Sequence, residues 1–256
     1  MLTQAIERVK EFHGSIHVEE IKMPFHHRVL TILIFTGACA LSTPARAADK
    51  PRVLILGDSI SIGYTPFVKQ MLKDEVVVIR PKGNCAGTNK GVKNIDTWLK
   101  LDGGKWDVIH FNFGLHDLKH VQPKTGRNSS NPKHPRQAEP ELYAKQLREI
   151  VGKLKKTGAA LIFATTTPVP AGGVKPYRDV KDPQRYNEVA RKIMKADGVT
   201  VNDLYAFANP RLKQIQRPVN VHFTKAGSKL LAGEAVKHIR AALKKRGKST
   251  RDAEPQ

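Results

Sequence analysis

The sequence predicts an α/β domain, a parallel sheet of five strands covered by helices on both faces. Two observations predict it. Short runs rich in β-branched residues recur along the chain, as in Arg52-Val53-Leu54-Ile55-Leu56, Val76-Val77-Val78-Ile79 and Val108-Ile109-His110-Phe111. Longer segments separate them, and their apolar residues return at helical spacing. Strand and helix signals in alternation are the pattern of a parallel sheet with crossover helices.

Taken in order, the first strand covers residues 53–56, and the helix after it carries Ile60, Tyr64, Phe67, Val68, Met71 and Leu72. The second strand is 76–79, followed by a loop and a helix with Val92, Ile95, Trp98 and Leu99. The third is 108–113. Residues 118–138 then form a polar excursion rich in Pro and Lys. So long a loop in a compact domain is functional or disordered. The next helix places Leu142, Leu147, Ile150, Val151 and Leu154 on one face and stops at Gly158. The fourth strand is 160–165. Asp182 and Pro183 read as N-cap and first residue of a helix with Tyr186, Val189, Ile193 and Met194. The fifth strand is 199–202, ahead of an irregular stretch. A final helix starting near Thr224 is expected to bury Leu230, Leu231, Val236, Ile239 and Leu243. The chain shows no internal repeat and no second domain.

The N-terminus reads as an export signal. His26-His27-Arg28 precedes the apolar stretch 29–41, and Ala45-Arg46-Ala47 supplies small residues for cleavage. The stretch is short for a bilayer span, so no stable membrane anchor is expected. Met23 is a natural start for such a signal, which makes residues 1–22 an extension. The expected organisation is therefore extension and signal over 1–47, a domain over 48–247 and a disordered tail over 248–256. Removing the signal also removes Cys39, which leaves Cys85 as the remaining cysteine and no intramolecular disulfide. Export without disulfides points to a periplasmic or secreted bacterial protein.

The formal net charge is +21, nearly all of it in the expected mature part. Such a field attracts polyanions, acidic or sulfated polysaccharides among them. A specific nucleic-acid role is not expected, because no recognition motif appears and aromatic residues are scarce. Simple solubility is the plainer reading of the same charge.

Four segments carry candidate chemistry. Gly57-Asp58-Ser59 follows the first strand and opens a helix, where the Ser59 Oγ and amide meet a helix N-terminus that favours negative charge. Capping of that helix by Asp58 or Ser59 is the structural alternative. Residues 83–88 (Gly-Asn-Cys-Ala-Gly-Thr) offer exposed amides after the second strand, or simply glycines that permit a turn. Gly114-Leu115-His116-Asp117 puts a donor side chain after the third strand. Val221-His222-Phe223-Thr224 precedes the last helix, and an imidazole beside a serine can take its proton and later return it to a leaving alcohol. In an open α/β sheet the strand C-termini share one edge, where ligands bind. A serine, its base and oxyanion donors on that edge point to the hydrolysis of an ester. His116 and His120, four apart, allow a rival reading as two metal ligands on a helix. Gly114 suggests a turn there instead, so no metal and no cofactor are expected.

With these blocks in this chain order, the sequence resembles the SGNH (GDSL-type) hydrolase superfamily over almost the whole expected mature region. The resemblance implies a three-layer α/β/α, flavodoxin-like fold, with Ser59 as nucleophile and His222 as base. It implies oxyanion donors from the Ser59 amide, a glycine amide in the second block and the side chain of His116. The glycine is assigned to Gly87, with Gly83 as the alternative. Asp58, Asn112, Asp117 and Asn220 are expected to support the site. Two positions depart from the family pattern: His116 stands where Asn is usual, and Val219 where the Asp of Asp-x-x-His is usual. Either the base acts in a Ser-His dyad, uses the amide oxygen of Asn220 or borrows Asp117 or Asp203, or the site is degenerate.

The expected activity is that of an exported serine esterase removing acyl groups, O-acetyl above all, from a carbohydrate or related small ester. The partner is a small-molecule or polysaccharide ester, with polyanionic substrates favoured by charge. A non-catalytic basic glycan-binding module and an acyltransferase using the same site are the alternatives. Residues 118–138 and 171–182 are expected to rim the pocket.

Overall fold

The computed structural model describes residues 50–252. The expected extension and signal, with Cys39, lie outside the described residues, as do 253–256. In chain order the elements are β1 (Arg52–Leu56), α1 (Ser59–Met71), β2 (Val77–Ile79), α2 (Thr88–Leu99), β3 (Val108–Phe111), α3 (Pro140–Lys155), β4 (Ala160–Ala164), α4 (Asp182–Ala196), β5 (Thr200–Asn202), α5 (Leu204–Ala208), α6 (Leu212–Ile215) and α7 (Lys225–Asp252).

All five strands pair in parallel in the order β2-β1-β3-β4-β5. The chain moves outward from β1 to β2, then crosses back past β1 to β3 and continues to β5. Right-handed crossovers therefore put α1 on one face and α2, α3 and α4 on the other. The packing agrees, since α1 lies against α7, α2 against α3, and α3 against α4. Register places Leu56 beside Phe111, Phe111 beside Phe163 and Ala164 beside Asn202, so the C-terminal ends of three central strands lie level. The reversal in strand order between β1 and β3 opens the crevice at that edge.

Helices on both sides bury Val53, Leu54, Ile55, Leu56, Ile109, Phe111 and Phe163 completely. His110, on β3, is buried among them, with Nε2 lying 3.1 Å from the Asn202 amide nitrogen. Burial pulls its pKa down to about 3, so it stays neutral in the core.

The structure differs from the expectations in a few places. Strand β3 ends at Phe111, two residues early, because Asn112 turns its amide to the Ala164 carbonyl at 2.7 Å and the chain then bends at Gly114. Gly114 has φ +148°, and a Cβ there would lie 2.0 Å from the Thr166 Oγ1. Leu142 and Leu230 are nearly half exposed, while Tyr143 takes the buried place on α3 and donates to the Phe113 carbonyl at 3.0 Å. Asp182 sits inside the first turn of α4, and Lys181 takes the cap position. The Asp182 carboxylate is drawn away by Arg136, whose Nε and Nη2 donate to it at 2.6 and 3.0 Å. The irregular stretch after β5 contains the short helices α5 and α6. The last helix continues to Asp252, past the point at which a tail is expected.

The excursion is a folded loop. The backbone N–H of Ser129 donates to His120 O, that of His120 to Tyr177 O and that of Tyr177 to Ser129 O, all at 2.8–2.9 Å. These bonds stitch it to the segment before α4. Four of its own residues, Leu118, His120, Val121 and Ser129, are buried.

Candidate active site

Ser59 is placed by the turn between β1 and α1. The Asp58 carboxylate caps α1, its Oδ1 accepting from Ile60 N at 2.9 Å, which fixes Ser59 as the first helical residue. Cys85 N donates to the Gly57 carbonyl at 3.2 Å and ties the loop after β2 to the same turn.

His222 arrives from the far end of the chain on a small hairpin. Thr224 N donates to Ile215 O at 2.8 Å and Arg217 N to His222 O at 3.0 Å, with Gln216 and Phe223 bridged antiparallel. The Gln216 side-chain amide pins this hairpin to the sheet edge by donating to Pro168 O at 2.9 Å.

The two residues meet. His222 Nε2 lies 2.8 Å from Ser59 Oγ, and His222 Nδ1 lies 2.8 Å from Asn220 Oδ1. The same Asn220 oxygen accepts the His222 backbone N–H at 2.9 Å. A backbone N–H can only donate, so the Asn220 atom facing it is the oxygen, and Nδ1 must carry the ring proton to donate to it as well. Nε2 is left with its lone pair toward the Ser59 hydroxyl. Burial first, then the charges of Arg217 and Arg178, hold the His222 pKa below the ordinary imidazole value of 6.5. The ring is therefore neutral at pH 7 and ready to accept a proton.

Of the partners open to His222, the structure supplies Asn220. Asp117 instead accepts from the Thr88 backbone at 2.8 Å and the Thr88 hydroxyl at 2.6 Å, holding the start of α2. Asp203 caps α5 and receives Arg191 at 2.7 Å and the Thr165 hydroxyl at 2.9 Å. Val219 has φ +48° and is half exposed, with its methyls close to Gly172. Burial raises the carboxyls of Asp58 and Asp117 to about 6, and one oxygen of each is buried without a hydrogen-bond partner.

A cleft of about 290 Å³ opens beside the pair, lined among others by Ser59, Asn84, His116, Lys119, Arg178 and His222. A second depression of about 310 Å³, lined by Gly63, Arg217 and Phe223 among others, also borders Ser59 and His222. His116 sits on a turn and not a helix, so the helical metal spacing with His120 does not arise. The His120 ring packs edge-on against Tyr177 with centroids 4.8 Å apart. Burial first, then Lys119, Arg178, His222 and Lys90, pull the His116 pKa down to about 3. It is a neutral imidazole with one N–H, and its buried Nδ1 has no hydrogen-bond partner.

Gly87 is not among the residues that line the cleft. It precedes α2 as its N-cap, and a Cβ there would lie 2.6 Å from Gln137 Nε2 and 2.8 Å from Asp117 Oδ1. The closeness of Asp117 to α2 is what calls for glycine at this position. Gly83, with φ +79°, is exposed and gives its carbonyl to Arg80 at 2.9 Å. Asn84 is the residue of this loop that reaches the cleft, and its Oδ1 accepts from Ala86 N at 2.7 Å.

Both expected rim segments lend residues to the cleft, Lys119 and Asn128 from one, and Val174, Lys175, Pro176 and Arg178 from the other. The sequence did not single out Arg178. It is buried, and it donates from Nε to Leu115 O at 2.9 Å and from Nη1 to Pro176 O at 3.3 Å. A loop arginine in so basic a chain gives no periodic signal, and only burial marks it out.

Comparison with known proteins supplies the context for this geometry. The sequence model of the GDSL-like lipase/acylhydrolase family matches residues 55–230. No curated protein matches the chain. Among solved structures, the chain is similar to a lipase/acylhydrolase from Enterococcus faecalis, with 21% identity and a TM-score of 0.61 over 75% of this chain and 96% of that one. It is similar to an acetylxylan esterase from Geobacillus stearothermophilus, with 18% identity and a TM-score of 0.58 over 75% and 94%. A protein described as a putative arylesterase, from Agrobacterium tumefaciens, gives 16% identity and a TM-score of 0.59 over 75% and 99%. At such identities these structures speak for the shared fold, while the family match spans more than two thirds of the sequence and includes all four blocks. The chain therefore belongs to the GDSL-like lipase/acylhydrolase family, the SGNH hydrolases, and is a carboxylic ester hydrolase.

Proposed function

We propose that this hydrolase is an exported serine esterase that removes acyl groups, acetyl above all, from a carbohydrate or related small ester. Ser59 Oγ attacks the ester carbonyl while His222 Nε2 takes its proton. The imidazolium that forms keeps its Nδ1–H on Asn220 and returns the other proton to the leaving alcohol. Water, deprotonated by the same Nε2, then attacks the acyl-Ser59 carbonyl, and Ser59 leaves with the proton. The tetrahedral oxyanion rests against the Ser59 amide at the N-terminus of α1 and a ring N–H of His116. An oxyanion-hole donor is worth about 2.7–4 kcal/mol of activation energy.

The observation that supports this reading best is the Ser59–His222–Asn220 hydrogen-bond chain, in which the ring proton is fixed on Nδ1. The acetyl preference is suggested by structural neighbours described as acetylxylan esterases. Export is suggested by the sequence pattern before residue 48. Among the described residues no helix is long and apolar enough to cross a membrane.

Ser59→Ala is expected to lower kcat/KM on p-nitrophenyl acetate by at least about 10³-fold while leaving the circular dichroism spectrum intact. A variant that keeps wild-type turnover removes Ser59 from the mechanism. Labelling with a fluorophosphonate separates the esterase from a glycan-binding module: the esterase is modified at Ser59, and a non-catalytic protein is not. Product analysis with a sugar acceptor present distinguishes hydrolysis from transfer of the acyl group.

A further inference from the structure

The wall of the Ser59 cleft carries a buried arginine that makes no ion pair among the described residues. Arg178 is 6% exposed, and the hydrogen bonds it makes are to two neutral carbonyls, of Leu115 and Pro176. No Asp or Glu stands within ion-pair distance of it among the described residues. Asp58 acts on it only at longer range. Burying a guanidinium without a carboxylate is costly, and proteins ordinarily pair such a group. By contrast, Arg136, also on this side of the fold, is held by both oxygens of Asp182. Burial accordingly draws the Arg178 pKa down to about 10, which leaves it charged at neutral pH.

Its surroundings add charge of the same sign. Lys119 and Lys175 line the same cleft, and none of the residues lining it is Asp or Glu. Lys119 is itself half-buried, and burial and the nearby Arg178 lower its pKa against a smaller opposing pull from Asp117. Asp58 and Asp117 act on Arg178 and Lys119 without forming an ion pair with either, so three like charges on one cleft wall remain under-compensated in the free protein. An anion brought in by the ligand would relieve that strain. With Nε and one N–H of Nη1 engaged, the remaining Nη donors of Arg178 are left for two oxygens of an anionic group.

We propose that Arg178, with Lys119 and Lys175, forms an anion subsite in the Ser59 cleft, and that the substrate is an ester of an acidic sugar whose carboxylate or sulfate occupies it. This rests on the esterase reading above and narrows its substrate class. The anionic group binds in the ground state and in the transition state alike, so it acts mainly on KM.

The test separates binding from turnover. In the Ser59→Ala protein, calorimetric titration is expected to show galacturonate, or galactose 6-sulfate, binding at least about tenfold more tightly than galactose. Comparing the two acids decides between carboxylate and sulfate as the group recognised. Adding Arg178→Met is expected to erase the preference. In the active enzyme, the kcat/KM ratio of an acetylated galacturonide over the matching acetylated galactoside is expected to fall about tenfold in Arg178→Met, through KM. Because Arg178 also holds two loop carbonyls, the double variant Lys119→Gln/Lys175→Gln, which leaves those bonds in place, should independently reduce the preference at least about threefold. Equal binding of charged and neutral sugars overturns the proposal, as does an unchanged ratio in both variants. Failure of every ester to turn over would refute the esterase reading while leaving the binding result to judge the subsite.

Discussion

One amide oxygen of Asn220 meets two donors of the same histidine, and the acid–base behaviour of the site follows from that contact. A neutral oxygen fixes the His222 tautomer but does little to stabilise the imidazolium, so burial and the two arginines keep the pKa below 6.5. Catalysis needs the unprotonated ring. Activity should therefore fall as pH drops through the His222 pKa, with the midpoint of the acidic limb of kcat/KM below pH 6.5. Asn220→Asp would place a carboxylate at Nδ1, favour the imidazolium and move that limb up by about one pH unit. A limb that stays put or moves down would show that Asn220 does not govern the ring. Ser59, His222 and Asn220 were legible in the sequence because each lies in a short block at a strand end or helix start. The reason for Gly87 was not legible, because a glycine required by close packing against Asp117 looks, in sequence, the same as one that bares an amide to a ligand. Arg178 was missed for the opposite reason, since its meaning lies entirely in what surrounds it.

At the scale of elements, the strands and long helices were legible because each pairs a continuous or periodic apolar pattern with a buried face. The stretch between β5 and α7 was not, although it positions His222. Helices α5 and α6 are too short to show a period, and their bonds are to distant parts, such as Gln216 to the Pro168 carbonyl. What anchors the hairpin is the approach of α7 to the end of α6. A Cβ on Gly227 would lie 2.2 Å from the Ile215 carbonyl oxygen, the same oxygen that accepts the Thr224 amide. Backbone cannot yield as a side-chain tip can. Gly227→Ala is therefore expected to destabilise the protein by about 2–3 kcal/mol in urea unfolding and to lower activity by shifting His222. Gly233→Ala is the control on the same helix, since a Cβ there meets nothing within 4 Å. It should be neutral or stabilising by up to about 1 kcal/mol. Equal losses in both variants would remove the close approach as the cause.

Over the whole molecule, a strongly basic chain keeps two carboxylic acids buried at the active edge of its sheet. The order β2-β1-β3-β4-β5 brings Asp58, after β1, and Asp117, after β3, to the same edge of the sheet; burial is the main cause that raises each carboxyl, and Asp58 adds a smaller push on Asp117. For Asp117 the folded value of about 6 lies above the ordinary 3.8, so the folded protein keeps its proton where the unfolded chain has lost it. The sign follows: the stability that this group contributes is fully present below 3.8 and is lost as pH rises through about 6. Asn in its place can still accept from Thr88 through Oδ1, while its Nδ2 replaces the oxygen that lacks a partner. Asp117→Asn should thus be indistinguishable from the wild type near pH 4 and more stable by on the order of 2 kcal/mol at pH 7, with the gain growing between those limits. Urea unfolding at a series of pH values reads it directly. A variant less stable at pH 7, or one whose gain is already complete at pH 4, would mean that the geometry at Thr88, rather than the cost of burying charge, sets the worth of this carboxyl group.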